Sequence, residues 1–443
     1  MTEGSILGKI VAYAIPIIIG NMLQQLYNVA DTLIVGRTLG VVKLAAVGAT
    51  GGMNFLLMGF VMGMTGGCSV VSSQAFGAGD ERALKRSVAA HAAIAASLTV
   101  LLTAAFLALT PFMLRAMNTT DELFPLSKAY ITIIYSGLAA TMLYNFVSST
   151  LRAVGDSRTP LMFLVFSSLL NIALDLAFIV FLGWDIEGAA GATVLSQFIS
   201  GLLCVIYMRR TAPFLFPDRG CWRGLMPMVK KEIRVGVPMG FQFTIIALGF
   251  MVLQSILNGF GAEAVAAYTV GSKVHELIQN PLAAMSIVVA TFVGQNLGAA
   301  KYDRIRSGVR TSVAFSLAMG AAVGLVAWLL RVPVAHFFLD SPSDDVVSYV
   351  GMFMLVDCPG MLTLALLFVY RGAIQGLGDG MTVMAGGVLE LVMRIIVAFS
   401  LAPSLGYFAL CFAPFTAWTS SLFLMVYMFF KHVRRAKALK NVL

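Results

Sequence analysis

The chain has 443 residues, of which 59% are hydrophobic and 12% charged. That is more apolar side chain than a soluble fold encloses, whereas a protein surrounded by lipid can expose it. The formal net charge of +9 does not mark a nucleic-acid binder, because the Lys and Arg residues sit in short clusters between apolar runs, as orientation signals do. These features describe an all-α polytopic membrane protein.

A bilayer-spanning helix needs about 20 residues at ~1.5 Å each. Runs of that length predict helices over 8–36, 44–73, 87–114, 124–151, 159–183, 188–208, 235–259, 264–294, 308–331, 346–375, 381–402 and 405–430, twelve in all. The first run continues past Ile19 with no small-residue cleavage site, so it is expected to remain as a span.

In that first helix Asp31 is the only acid between Ile10 and Gly36. A carboxylate at a bilayer centre costs roughly 2.5–3.5 kcal/mol, so Asp31 is expected to face a protein-lined or watery cavity. Gln24, Asn28 and Asp31 are spaced four and then three apart and predict a polar seam. Pro16 removes one backbone hydrogen bond, leaving two readings, a bend used in transport or a static kink. In the fifth helix Asn171 and Asp175 lie one turn apart on one face.

The later helices carry other charges. Lys273 and Glu276 in the eighth and Glu390 and Arg394 in the eleventh have i,i+3 and i,i+4 spacing, so each pair is expected to neutralise itself within its own helix, for structure or gating. His275 is read either as a satisfied helix histidine or as a proton relay. The five cysteines, without CxxC or metal-ligand spacing, are packing residues. No HExxH, GxSxG or Cys/His constellation suggests an enzyme, and no resident metal or cofactor is expected.

Sorted by side of the twelve helices, 23 of the 30 Lys and Arg residues fall on one side and five on the other, leaving Lys273 and Arg394 within helices. Both termini are therefore predicted cytoplasmic.

The chain is an internal duplication. Pro16 and Pro238, Gln74 and Gln295, and Asp156 and Asp379 stand in matching motifs 222, 221 and 223 residues apart. Six helices per copy give two lobes entering the membrane in the same direction, related by a pseudo-two-fold along its normal. The expected division is 1–209, a Pro- and Arg-rich cytoplasmic strap over 210–230, and 231–443. The loops QAFGAGD and QNLGAAK lack the spacing of a phosphate cradle and predict tight turns with Gly77 or Gly298 left-handed. Under the repeat offsets Asn171 falls on Arg394, Asp175 on Ala398 and Asp31 on Leu253, so the paired acids belong to one lobe only.

The 6 + 6 repeat, the segment from Pro16 to Asp31, the loops QAFGAGD and RAVGDSRTP, and NIALDLAF from Asn171 resemble the multidrug and toxic compound extrusion (MATE) transporters over nearly the whole chain. That resemblance implies a V-shaped pair of six-helix lobes and a monomeric, multi-pass plasma-membrane antiporter that expels cationic or amphipathic small molecules against a proton or sodium gradient. Asp31 with Asn171 and Asp175 resembles the DinF-type branch. The resemblance adds Thr193 and Tyr130 to its cation site. In a pliable Met- and Phe-rich interior, Gln24 and Asn171 are read as polar groups that contact substrate. The NorM-type branch keeps acids in helices 7 and 10, and the matching stretches FQFTIIALGF and MLTLALLFVY have none. Two carboxylates together in a membrane do not both stay ionised cheaply, so one is expected to bind and release a proton, or the oxygens to hold sodium. The alternative expectation is a flippase for lipid-linked precursors.

Overall fold

The computed structural model describes residues 1–338 and 343–440, and among them every regular element is helical. The first repeat contains α1 (Ile6–Leu39), α2 (Val41–Gly77), α3 (Glu81–Ala116), α4 (Leu123–Ser136), α5 (Leu138–Ala153), α6 (Arg158–Asp175) and α7 (Ile186–Thr211). The second contains α8 (Met226–Leu257), α9 (Ala262–Gly298), α10 (Tyr302–Leu329), α11 (Arg331–Phe338), α12 (Asp344–Gly376), α13 (Gly380–Leu405) and α14 (Tyr407–Lys440).

Eleven of these elements are long and apolar enough to span a bilayer, and α4 with α5, bent by 45°, makes a twelfth. The sequence predicts that twelfth span as one helix over 124–151. The break falls at Gly137, where a Cβ would lie 2.3 Å from a methyl carbon of Val194 on α7. The close packing of α7 there leaves room only for glycine.

Contacts divide the chain into an amino unit, Ile15–Gly236, and a carboxy unit, Met1–Ala14 with Val237–Leu443. This division runs differently from the expected one at 210–230. It cuts α1 and α8 one residue before Pro16 and Pro238, so the first turns of each repeat's leading helix pack with the other repeat. α1 itself is continuous through Pro16.

The four repeated turns share one solution. Gly79, Gly155 and Gly378 are left-handed with φ of 70°, 97° and 82°, and Ala300 takes the same role at φ 54°. Gly77 and Gly298, expected to be left-handed, instead end α2 and α9 inside the helix. The residue after each left-handed position closes back five residues: Asp80 N to Ala75 O, Asp156 N to Leu151 O, Lys301 N to Asn296 O and Asp379 N to Ile374 O. In three of the turns that residue is an Asp whose carboxylate also accepts from the next helix, at Ala83 N, at Thr159 N and at Thr382 N. One residue thus stops one helix and starts the next.

In the amino unit the strap does not hang free. Leu215 is buried in a cluster with Leu84, Val88, Val147 and Leu151, Lys85 pairs with Asp218, and Arg86 donates to Arg223 O. The opening turns of α8 lie against α2, where a Cβ on Gly67 would fall 2.4 Å from Gly236 Cα. Paired glycines let helices approach this closely in a membrane. On the same turns Glu232 is fully buried and accepts from Ser87 at 2.6 Å, while Ser87 and Ser72 share a hydrogen bond of 2.8 Å.

In the carboxy unit the amino-terminal segment is tied down by Met1 N donating to Gln295 Oε1 at 2.9 Å, by Arg304 donating to Met1 O and Gly4 O, and by Tyr13 sharing a hydrogen bond with Thr291. α9 and α12 form its centre. A Cβ on Gly372 would meet Ser286 O at 2.3 Å, and one on Gly376 would meet Ala290 O at 2.5 Å.

Candidate functional site

In the amino unit α1, α4, α6 and α7 converge on one acid pair. Asp31 of α1 and Asp175, the last residue of α6, lie within hydrogen-bonding range of each other. Asp175 is fully buried and Asn171 is 1% exposed. Asn171 Nδ2 donates to Thr193 Oγ1 at 3.4 Å, and Thr193 Oγ1 in turn donates to Ala189 O at 3.1 Å. Tyr130 of α4 lies near enough to both acids for their charges to act on its hydroxyl. Asp31, Tyr130, Asn171, Asp175 and Thr193, which the family resemblance implies, are therefore neighbours in space.

Tyr27 is a member that sequence reasoning missed. Its hydroxyl reaches Thr193 and feels the charge of both carboxyl groups. The signal was present, since Tyr27 precedes Asp31 by one helical turn. The polar seam through Gln24 and Asn28 runs elsewhere: both are exposed, and Asn28 donates to Gln25 within α1.

The helix changes character at Asp175. Directly after it, Leu176–Phe181 form a π-helical turn, with Leu182 N bonded to Ala177 O at 2.9 Å. Such turns are rare and concentrate at functional positions, because they change the direction of the side chains that follow.

Four oxygens in this cluster are buried with no protein hydrogen-bond donor: Asp31 Oδ1, Asn171 Oδ1 and both carboxylate oxygens of Asp175. No Lys, Arg or His is among the groups acting on the two acids. An anion pair without a protein cation can share one proton or close around a hard cation, whose preferred ligands are oxygens. Among the described residues no three His, Cys, Asp or Glu side chains are grouped as transition-metal ligands.

The carboxy unit holds a different set. Lys273 and Glu276 pair within α9 at 3.2 Å, as their spacing predicts. Glu390 and Arg394 do not pair with each other. Glu390 bonds instead to Arg371 of α12, a residue that the sequence places in the cytoplasmic charge count but that is 6% exposed within its helix. With its amide oxygen turned toward Arg371, Gln242 accepts from Nε and Nη1 at 3.1 and 3.2 Å. An inter-helix partner replaced the within-helix one because the Arg371 fork reaches Glu390 and Gln242 together.

Arg394, 1% exposed, is left with Nε and Nη1 lacking any hydrogen-bond acceptor. Its guanidinium lies 4.6 Å from the centre of the Phe250 ring. A cation–π contact supplies about 0.5–2 kcal/mol, less than the several kcal/mol that removing one ion from water costs.

His275 also takes its partner from another helix, with Nδ1 at 2.8 Å from Asp357 Oδ1 and its ring stacked on Trp418 at 5.4 Å. Asp357 was missed at the sequence level. It stands on α12 one turn before the stretch MLTLALLFVY, so that helix does contain an acid.

The model of the MatE family matches the chain twice, over residues 16–177 and 238–400. The two matches begin at Pro16 and Pro238, as the internal duplication requires. "Probable multidrug resistance protein YpnP" of Bacillus subtilis is 26% identical over 400 residues, covering 90% of this chain and 87% of its own. "Probable multidrug resistance protein YoeA" of the same organism is 30% identical over 336 residues, covering 74% and 72%. A crystal structure of a MATE protein in a bent conformation superposes with a TM-score of 0.91 at 22% identity, over 99% of this chain and 98% of that one.

Proposed function

Because this chain belongs to the MatE family, we propose that it is a cation-coupled antiporter that exports cationic or amphipathic small molecules across the plasma membrane. The observation that carries this reading is the pair of half-buried Asp31 and fully buried Asp175 in the amino unit, with three of their oxygens and Asn171 Oδ1 lacking a donor and no protein cation acting on either acid. The pair takes up a proton or a sodium ion, and the bound cation changes the charge of α1 and α6, on which the transport cycle depends. Two relatives that carry multidrug-resistance names support the substrate class.

The energetics are sufficient. One proton moving down a gradient contributes about 1.4 kcal/mol per pH unit, and roughly 2.3 kcal/mol per 100 mV for each net charge moved. A single proton thus sustains about a tenfold substrate gradient per pH unit. In the proposed arrangement both termini are cytoplasmic, on the count of basic residues per side, and the chain works as a monomer.

The test is ethidium efflux by the purified chain in proteoliposomes under an imposed pH or sodium gradient. Wild type exports under one of the two gradients, and Asp31→Asn and Asp175→Asn each lose gradient-driven export. Unchanged export in both variants overturns the proposed site. Headgroup-specific lipid transfer without ethidium export would favour a lipid-linked-precursor flippase instead.

A further inference from the structure

Two arginines lie in the core of the carboxy unit, and one acid stands between them. Arg371 is saturated by Glu390 and Gln242. Arg394, one turn beyond Glu390 on α13, has no acceptor for Nε or Nη1. A guanidinium does not give up its proton and has only donors to offer, so a buried one needs an anion. The other buried acid of this unit, Asp357, meets His275 through Oδ1, and its Oδ2, like Nε and Nη1 of Arg394, has no partner, so the acid does not reach that guanidinium.

The surroundings fit a group waiting for a partner. Gly249 on α8 clears space for the guanidinium, because a Cβ there would lie 2.4 Å from Arg394 Nη1. Phe250, whose ring lies against the guanidinium, is itself 41% exposed. By the repeat offset of 223, Arg394 stands where the first repeat has Asn171, a member of the cation cluster.

We propose that Arg394 is an anion-binding group that receives the phosphate or carboxylate of an amphipathic ligand once Phe250 swings away. The proposal is independent of how the amino unit couples to a cation. It gives the second repeat a binding site at the position equivalent to Asn171, with the opposite charge preference. The forked donors of Arg394 match the two oxygens of such a group, and the Phe250 ring offers an apolar face to the rest of the ligand.

The test uses the full-length chain in dodecyl maltoside, with thermal unfolding followed as ligand is added below its micellar concentration. Decyl phosphate is compared with decyl maltoside and decyltrimethylammonium, which share its tail and differ in head charge. Wild type is expected to be stabilised selectively by decyl phosphate. Arg394→Gln should raise the half-saturating concentration at least tenfold, the loss of one charge-assisted pair, while Arg394→Lys retains most of the preference. Phe250→Ala, which removes the ring lying against the guanidinium, should lower the half-saturating concentration and serves where Arg394→Gln does not fold.

No head-group preference in wild type, an unchanged preference in Arg394→Gln, or an unchanged half-saturating concentration in Phe250→Ala overturns the proposal. Inorganic phosphate alone distinguishes the source of the anion. An Arg394-dependent shift with it identifies a free anion as sufficient, and a shift seen only with decyl phosphate identifies an anionic head carried on a lipid-like tail. Ethidium export under a cation gradient is read separately, so failure of one reading leaves the other intact.

Discussion

The amino and carboxy units are built on one repeat, yet their buried charges have opposite character. The amino unit brings Asp31 and Asp175 together with no protein cation, whereas the carboxy unit buries Arg371 and Arg394 near Glu390, which bonds to Arg371 alone. Both units keep the same turns, with Asp156 and Asp379 in equivalent caps. The comparison teaches that duplication conserved what backbone geometry requires and left interior polarity free to diverge.

The largest effect separates a satisfied charge cluster from a poised one. Glu390→Gln leaves buried Arg371 without its acid, and a loss of about 3–5 kcal/mol is expected, as for other broken buried pairs. Thermal unfolding of the purified variant reads it, and an unchanged midpoint would mean that Arg371 is neutralised elsewhere. Next, Gly67→Leu drives a side chain into Gly236 at the start of α8, which should cost about 1–3 kcal/mol through overpacking. The same change at the exposed Gly51, which has open space around it, should have little effect.

Smaller effects test the caps and the acid pair. Burial opposes the Asp379 carboxylate, but hydrogen bonds from Thr382 and contact with His432 outweigh it and hold its pKa below the ordinary value of 3.8. A lowered pKa stabilises the folded chain fully above the ordinary value, and that stability is lost as pH falls through the lowered one. Asp379→Asn should therefore cost up to about 1 kcal/mol at neutral pH, with the difference from wild type closing in acid. A pH-independent difference would locate the effect in the cap alone. Last, Asp175→Asn should leave the unfolding midpoint unchanged or slightly raised while export is lost, because it removes one of two facing carboxylates. A strongly destabilised Asp175→Asn would make the pair a structural element.

Much of this was legible from residue order. Twelve spans, the duplication and the acids of the first repeat follow from hydropathy and spacing, since lipid rewards long apolar helices wherever they occur. Tyr27 was legible and passed over, being one turn from Asp31. The partners of Glu390, Arg394 and His275 were not, because i,i+4 spacing shows which residues can meet on one helix and says nothing of a nearer side chain on another. The division at Ala14 and Gly236 was equally hidden, for it depends on which helix the opening turns of α1 and α8 pack against.

The sequence by itself determined the class of the protein, its two copies, the position of its turns and the cost of Asp31, all of which depend on local composition and period. Only the tertiary structure decided that Asp31 meets Asp175 near Tyr27, that Arg371 takes Glu390, and that Nε and Nη1 of Arg394 are left without an acceptor. The physical reason is that charge pairing in an apolar interior is settled by distances of a few ångströms between helices distant in the chain, where water does not supply the missing partner.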